Sequence, residues 1–175
     1  MKTPDFLSPI LALLVPTLLA VAAGDQAPPI SAKNQDGKVI HLSDFKGQYV
    51  LLYFYPKDDT PGCTTEACSL RDNFSKIKAM NTTVLGVSRQ DEKSHQKFIA
   101  KHKLPFDLLV DTDGEIGKAF GVGTMPIVGF SKRQSFLIGP DGKILKFYKD
   151  VDPDTHTAQV LADVTQATED AKKKN

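Results

Sequence analysis

The chain has 175 residues, enough for one domain whose core buries roughly two-thirds of its unfolded surface without disulfide support, so its two cysteines are free for chemistry. Its 22 basic and 21 acidic side chains nearly balance and form no dense basic stripe, which excludes the electrostatic footprint of a nucleic-acid binder. The consecutive lysines Lys172 to Lys174 suit the negative end of a closing helix instead.

The leading segment differs from the rest. Lys2 precedes an apolar run from Ile10 to Ala23, broken by Pro16 and Thr17, with small residues Ala20, Val21 and Ala22 near its end. That is the pattern of a secretory signal peptide cleaved after Ala22. A retained membrane span needs about 20 apolar residues, and this run is shorter and carries a helix-breaking proline. The expected organisation is therefore a signal peptide over 1–22 and one domain over 23–175, exported to a compartment such as a bacterial periplasm and not inserted in the membrane after cleavage.

Within the domain, the turn signal Asn34 to Gly37 before Lys38 to Leu42 predicts an entrance hairpin, and Ser43 and Asp44 can cap a short turn. Residues 49–55, Tyr-Val-Leu-Leu-Tyr-Phe-Tyr, are a continuous apolar run of strand formers ending at Pro56, which predicts a strand buried on both faces. Thr64 to Lys78 carries Ala67, Leu70, Phe74 and Ile77 at helical spacing. A strand over Thr83 to Ser88, a helix over Asp91 to Lys101, a strand over Phe106 to Val110 and a short helix over Gly114 to Phe120 follow. Ser135 to Ile138 and Lys143 to Tyr148 flank Pro-Asp-Gly at 140–142 as a hairpin, and Asp154 to Lys172 closes the chain as a helix. The fold class is α/β: a mixed central sheet flanked by helices.

Both cysteines lie in Thr-Pro-Gly-Cys-Thr-Thr-Glu-Ala-Cys, residues 60–68, between the buried strand and a helix start. A sulfur at a helix N-terminus faces unpaired amides and the positive end of the dipole, which favour the thiolate, so Cys63 has the position of a reactive cysteine. Pro61 fixes the turn, Gly62 permits close backbone approach, and Thr60 can turn its hydroxyl toward the sulfur. Cys68 comes five residues later, a Cα separation of about 8.6 Å on an ideal helix. A disulfide needs roughly 7 Å or less, so the spacing opposes a static bridge and fits a redox cycle in which the first helical turn unwinds.

Pro56, Thr60 and Cys63 match the PxxxTxxC signature of peroxiredoxins, and Thr-Pro-Gly-Cys-Thr followed by Cys68 resembles the bacterioferritin-comigratory, or PrxQ, branch. Gly-Asp-Gln-Ala-Pro at 24–28, Leu-Ser-Asp-Phe-Lys-Gly at 42–47, Arg-Gln-Ser-Phe-Leu-Ile at 133–138 and the Pro-Asp-Gly hairpin extend the resemblance over essentially the whole domain. It implies a thioredoxin-like fold and a thiol peroxidase that needs no cofactor. Cys63 would be the peroxidatic cysteine and Cys68 the resolving one, with Thr60, Pro56 and Arg133 lining the peroxide site. It also implies a hydroperoxide substrate and a thioredoxin-like or other dithiol reductant; the expected oligomeric state is a monomer. Residues 123–132 depart from the family's pattern, in which aromatic residues are expected near the site.

Other readings are weaker. His41, His95, His102 and His156 are scattered without ligand spacing, which predicts surface histidines and no metal site. Nothing nominates one of them as a base for Cys63, as a cysteine hydrolase would require. Asp-Thr-Asp-Gly at 111–114 resembles the opening of a calcium loop, but Glu115 and the early glycine make it a turn and helix cap. Apart from the family match, Arg133 would pass as a surface arginine. The main rival is an exported thiol:disulfide oxidoreductase, against which the absence of a Cys-x-x-Cys pair counts. A non-catalytic binding domain would have little reason to retain Pro56, Thr60, Cys63 and Arg133 together.

Overall fold

The computed structural model describes residues 21–173. The predicted signal peptide therefore lies outside the described residues except for Val21, which packs on the core, and Ala22, whose amide donates to Asp25. Among the described residues, no helix is long and apolar enough to cross a membrane.

A small antiparallel hairpin of β1 (Ser31–Lys33) and β2 (Val39–His41) opens the fold, followed by a 3-10 turn over Leu42–Phe45. The central strand is β3 (Tyr49–Phe54), whose six residues are all buried. Its period of two feeds two cores. Tyr49, Leu51 and Tyr53 meet Ala67, Leu70, Phe98, Val160 and Val164 on one face, while Val50, Leu52 and Phe54 meet Ile30, Ile40, Phe120 and Phe136 on the other. An unbroken apolar run is what a strand covered on both sides requires.

The remaining elements are α1 (Pro61–Asp72), α2 (Phe74–Ala79), β4 (Thr82–Ser88), α3 (Glu92–His102), β5 (Asp107–Val110), α4 (Glu115–Ala119), β6 (Gln134–Ile138), β7 (Ile144–Tyr148) and α5 (His156–Lys173). The sheet order is β5-β4-β3-β6-β7, with β3, β4 and β5 parallel and β6 and β7 antiparallel. This is the mixed, thioredoxin-like α/β sheet expected. The turn at 139–142 closes with the Gly142 amide donating to the Gly139 carbonyl at 2.9 Å, and Gly142 takes φ +80. A side chain would resist that angle, so the hairpin depends on this glycine.

Two boundaries differ from the sequence reading. The helix expected from Thr64 begins at Pro61, because a proline in the first turn has no amide to leave unpaired. It also breaks at Asn73, where the side-chain amide donates to the Ser69 carbonyl at 3.0 Å, competing with the backbone for a helical acceptor. The break lets Phe74 turn onto Phe106, with ring centroids 6.1 Å apart. Asp111 behaves as the cap expected of it, accepting the amides of Ile116 and Gly117 at 2.8 and 3.0 Å.

Gly86 lies in register with Tyr53 on one side and Leu108 on the other. A Cβ there would stand 2.5 Å from Leu108 Cδ2 and 2.9 Å from the Tyr53 ring. Gly86→Ala is therefore expected to lower stability by about 1–3 kcal/mol through overpacking. A urea titration checks it, and a variant with the wild-type midpoint and slope would refute the close packing described.

Candidate active site

The chain leaves β3 at Phe54, crosses a turn and enters α1 with Thr60 as the extended capping residue. Cys63 is the third residue of this helix and only 1% exposed. The amides of Gly62 and Cys63 belong to the first turn, where no intrahelical carbonyl accepts them. They aim positive partial charge along the opening of the helix. Pro56 sits half-buried in the preceding turn.

Thr60 differs in detail from the expectation. Its hydroxyl donates to the Lys57 carbonyl at 2.9 Å and does not point its proton at sulfur. The proton is committed, so the hydroxyl oxygen is left to accept a hydrogen bond, as from the O–H of a peroxide.

Arg133 arrives from across the sheet. Gln134, the residue after it, pairs with Phe54 at the end of β3, so the β3–β6 register delivers the guanidinium beside α1. Nη2 donates to Cys63 Sγ at 3.3 Å and Nη1 donates to Glu66 Oε2. Gly62 makes room for this approach, since a Cβ there would lie 3.1 Å from Nη2. An otherwise ordinary arginine is thereby fixed against a buried sulfur.

Glu66 was not singled out from the sequence. It is fully buried, one helical turn after Cys63. The signal was available in spacing: Cys63, Glu66, Ala67 and Leu70 recur at helical period on the inward face of α1. Burial pushes the Glu66 carboxyl up to about 7, against the opposing pull of Arg133. Below the carboxylate lies His156, with Nε2 3.9 Å from Glu66 Oε1 and its ring edge-on to Tyr148 at 5.0 Å. Burial, then the charge of Arg133, pushes His156 down to about 4, with Asp163 opposing.

The expectation of surface histidines holds for His41 alone. His95 and His156 are fully buried and His102 is half-buried. Helical geometry explains it, because His95 and His102 share the face of α3 that buries Phe98. His95 Nδ1 lies 2.8 Å from Asp58 Oδ2, and its Nε2 lies 3.2 Å from the Leu109 carbonyl. Burial tends to raise Asp58, but the hydrogen bond and charge of His95, with Tyr55 and Ser94, hold its carboxyl below the usual range.

Cys68 is half-buried on the same helix, and both thiols are free. An intact α1 keeps them apart, as the spacing required. In the divergent segment 123–132 the aromatic residue is Phe130, whose ring lies 5.8 Å from Lys57 Nζ. Arg89 anchors the same loop by donating to the Gly129 carbonyl at 2.6 Å.

Glu66 gives a pH test with a definite sign. Its folded value of about 7 lies above its ordinary 4.5, so between those limits the native state holds this proton more tightly than the unfolded chain. Its contribution is complete below about 4.5 and is lost as pH rises through about 7. Relative to Glu66→Gln, the wild type should lose on the order of 3 kcal/mol over that window. Urea titrations of both proteins across the window check this; a constant difference, or one that grows with pH, would contradict the burial account.

The AhpC/TSA family model matches residues 23–147. Peroxiredoxin Bcp of Bacillus subtilis is 38% identical over 157 residues, covering 86% of this chain and 99% of that protein. Peroxiredoxin Bcp of Escherichia coli is 44% identical over 144 residues, covering 79% and 92%. Among solved structures, a cysteine-to-serine mutant of PrxQ from Xylella fastidiosa superposes with a TM-score of 0.77 at 32% identity, covering 85% of this chain and 98% of that one. With a cysteine–arginine pair at a helix start in a thioredoxin-like sheet, the chain belongs to the AhpC/TSA family and is a peroxiredoxin of the Bcp/PrxQ kind, a thiol peroxidase.

Proposed function

We propose that Cys63 is the peroxidatic residue and Cys68 the resolving one, in a cycle that reduces hydrogen peroxide and organic hydroperoxides. The observation that carries the reading is the Arg133 guanidinium 3.3 Å from the buried Cys63 sulfur. A permanent cation at that distance is available to the charge developing on the peroxide oxygens. The Thr60 oxygen accepts the peroxide O–H, the first-turn amides face the same space, and Pro56 screens the sulfur from bulk water.

The Cys63 thiolate attacks one peroxide oxygen, forming an S–O bond as the O–O bond breaks. The departing oxygen takes the electron pair and a proton, leaving as water or alcohol, and Cys63 becomes a sulfenic acid. The Cys68 thiol condenses with it, releasing water and forming the Cys63–Cys68 disulfide. An external dithiol, thioredoxin or a similar donor, reduces the bridge.

The chain acts as a monomer in this reading, because both thiols come from one helix. We further propose an exported protein with its leader removed near Ala22. The composition of residues 1–22 supports this, and the N-terminal mass of protein recovered from the periplasm tests it.

Cys63→Ser is expected to abolish peroxide consumption, while Cys68→Ser should complete one turnover and stall as sulfenic acid. Arg133→Lys should lower kcat/KM by about 100-fold, the scale of losing one oriented donor. Turnover coupled to thioredoxin measures all three. Repeated turnover by Cys63→Ser would overturn the assignment.

A further inference from the structure

Two consecutive aspartates precede the Cys63 helix, and each meets a histidine of α3. Asp58 binds His95 in full burial, with the hydroxyls of Tyr55 and Ser94 donating to the same carboxylate at 2.7 Å each. That network reaches no sulfur and serves as an anchor. Asp59 is different. It stands at φ 59, a left-handed conformation that aspartate tolerates better than most residues. Its carboxylate is thereby turned toward Lys101 Nζ at 2.6 Å and His102 Nε2 at 2.9 Å.

The other nitrogen of the same ring, His102 Nδ1, lies 3.9 Å from Cys68 Sγ. Phe98 holds the ring edge-on at 5.1 Å, and Arg71 Nη1 donates to the His102 carbonyl at 2.7 Å. A carboxylate only accepts, so Asp59 fixes the proton of a neutral His102 on Nε2 and leaves the Nδ1 lone pair facing the thiol. Carboxylate, imidazole and thiol thus stand in the order of an activated nucleophile.

We propose that His102, positioned by Asp59, is the general base that activates Cys68 for its attack on the Cys63 sulfenic acid. This rests on the reading of Cys68 as the resolving thiol. His102 Nδ1 takes the Cys68 proton, and the thiolate sulfur attacks the Cys63 sulfur. The S–S bond forms as the S–O bond breaks, and the oxygen leaves with its electron pair as hydroxide, which the transferred proton neutralises to water. The oxidising equivalent is the one already supplied by peroxide. The charged groups around the pair are Asp59 from the turn, Lys101 from α3, and Arg71 with its partner Asp72 from α1. Arg71 also borders the Cys68 sulfur.

Rapid mixing of the reduced full chain with one equivalent of hydrogen peroxide, quenched with an alkylating reagent and read by mass spectrometry, separates sulfenic acid formation from disulfide formation. In His102→Asn the second step should slow roughly 100-fold, the low end for losing a general base. Asp59→Asn should slow it less and displace its pH profile, an effect that mere packing would not produce. In a Cys63→Ser background Cys68 is the only thiol. There, adding His102→Asn should slow its alkylation several-fold at neutral pH in the folded protein and not in urea. Equal second-step rates and pH profiles in wild type and His102→Asn, or equal native alkylation rates, would overturn the role of His102 while leaving Cys68 as the resolving residue. Absence of any Cys63–Cys68 disulfide in the wild type would overturn both.

Discussion

One guanidinium ties Cys63 to Glu66, and the arrangement of α1 serves that shared contact. An unpaired buried charge is costly, and Cys63 is one of two groups of α1 that face Arg133. Glu66 supplies the match from the next turn of the helix that carries the cysteine. One side chain from the start of β6 is thus clamped by two residues of α1, and Gly62 leaves the space for it to arrive. The sheet register, the helix phase and the glycine are three conditions on a single contact.

The clamp also sets how readily the helix start can open. Between Pro61 and Glu66, only Cys63 and Glu66 are buried; the other side chains of that turn are exposed or half-buried. Unwinding therefore releases one sulfur and one carboxylate. Returning Glu66 to water is favourable in itself, since burial has pushed its carboxyl up to about 7. In the proposed cycle, oxidation removes the negative charge from Cys63 and with it part of the hold on Arg133. The opening has firm limits on both sides: Asp58 is fastened to His95 before it, and Ala67 and Leu70 are fully buried after it.

Much of this was legible in the chain. The unbroken apolar run at 49–55 identified the central strand, and Pro61 and Gly62 marked the helix start at which Cys63 is buried. Arg133 was reached through the family signature, since nothing local marks an arginine that crosses the sheet to its site. Glu66 and the buried histidines were missed for a different reason. Polar residues on an inward helical face are discounted when apolar positions alone are counted, although His95, Phe98 and His102 fall at helical spacing. The break at Asn73 was hidden because Phe74 and Ile77 continue the apolar period of α1 into α2.

The two aspartates show why position alone is insufficient to assign a role. They are adjacent in sequence and bind histidines two turns apart on one helix, so any motif treats them alike. Their surroundings separate them. Asp58 is enclosed, with hydroxyl donors on its carboxylate and a histidine whose far nitrogen faces the Leu109 carbonyl, so that chain of contacts ends in backbone. Asp59 is half-exposed, shares Lys101, and lies behind a histidine whose far nitrogen meets a sulfur. The first pair fixes the turn from which α1 starts. The second continues to Cys68, placing an imidazole nitrogen 3.9 Å from the thiol that resolves Cys63 in the proposed cycle.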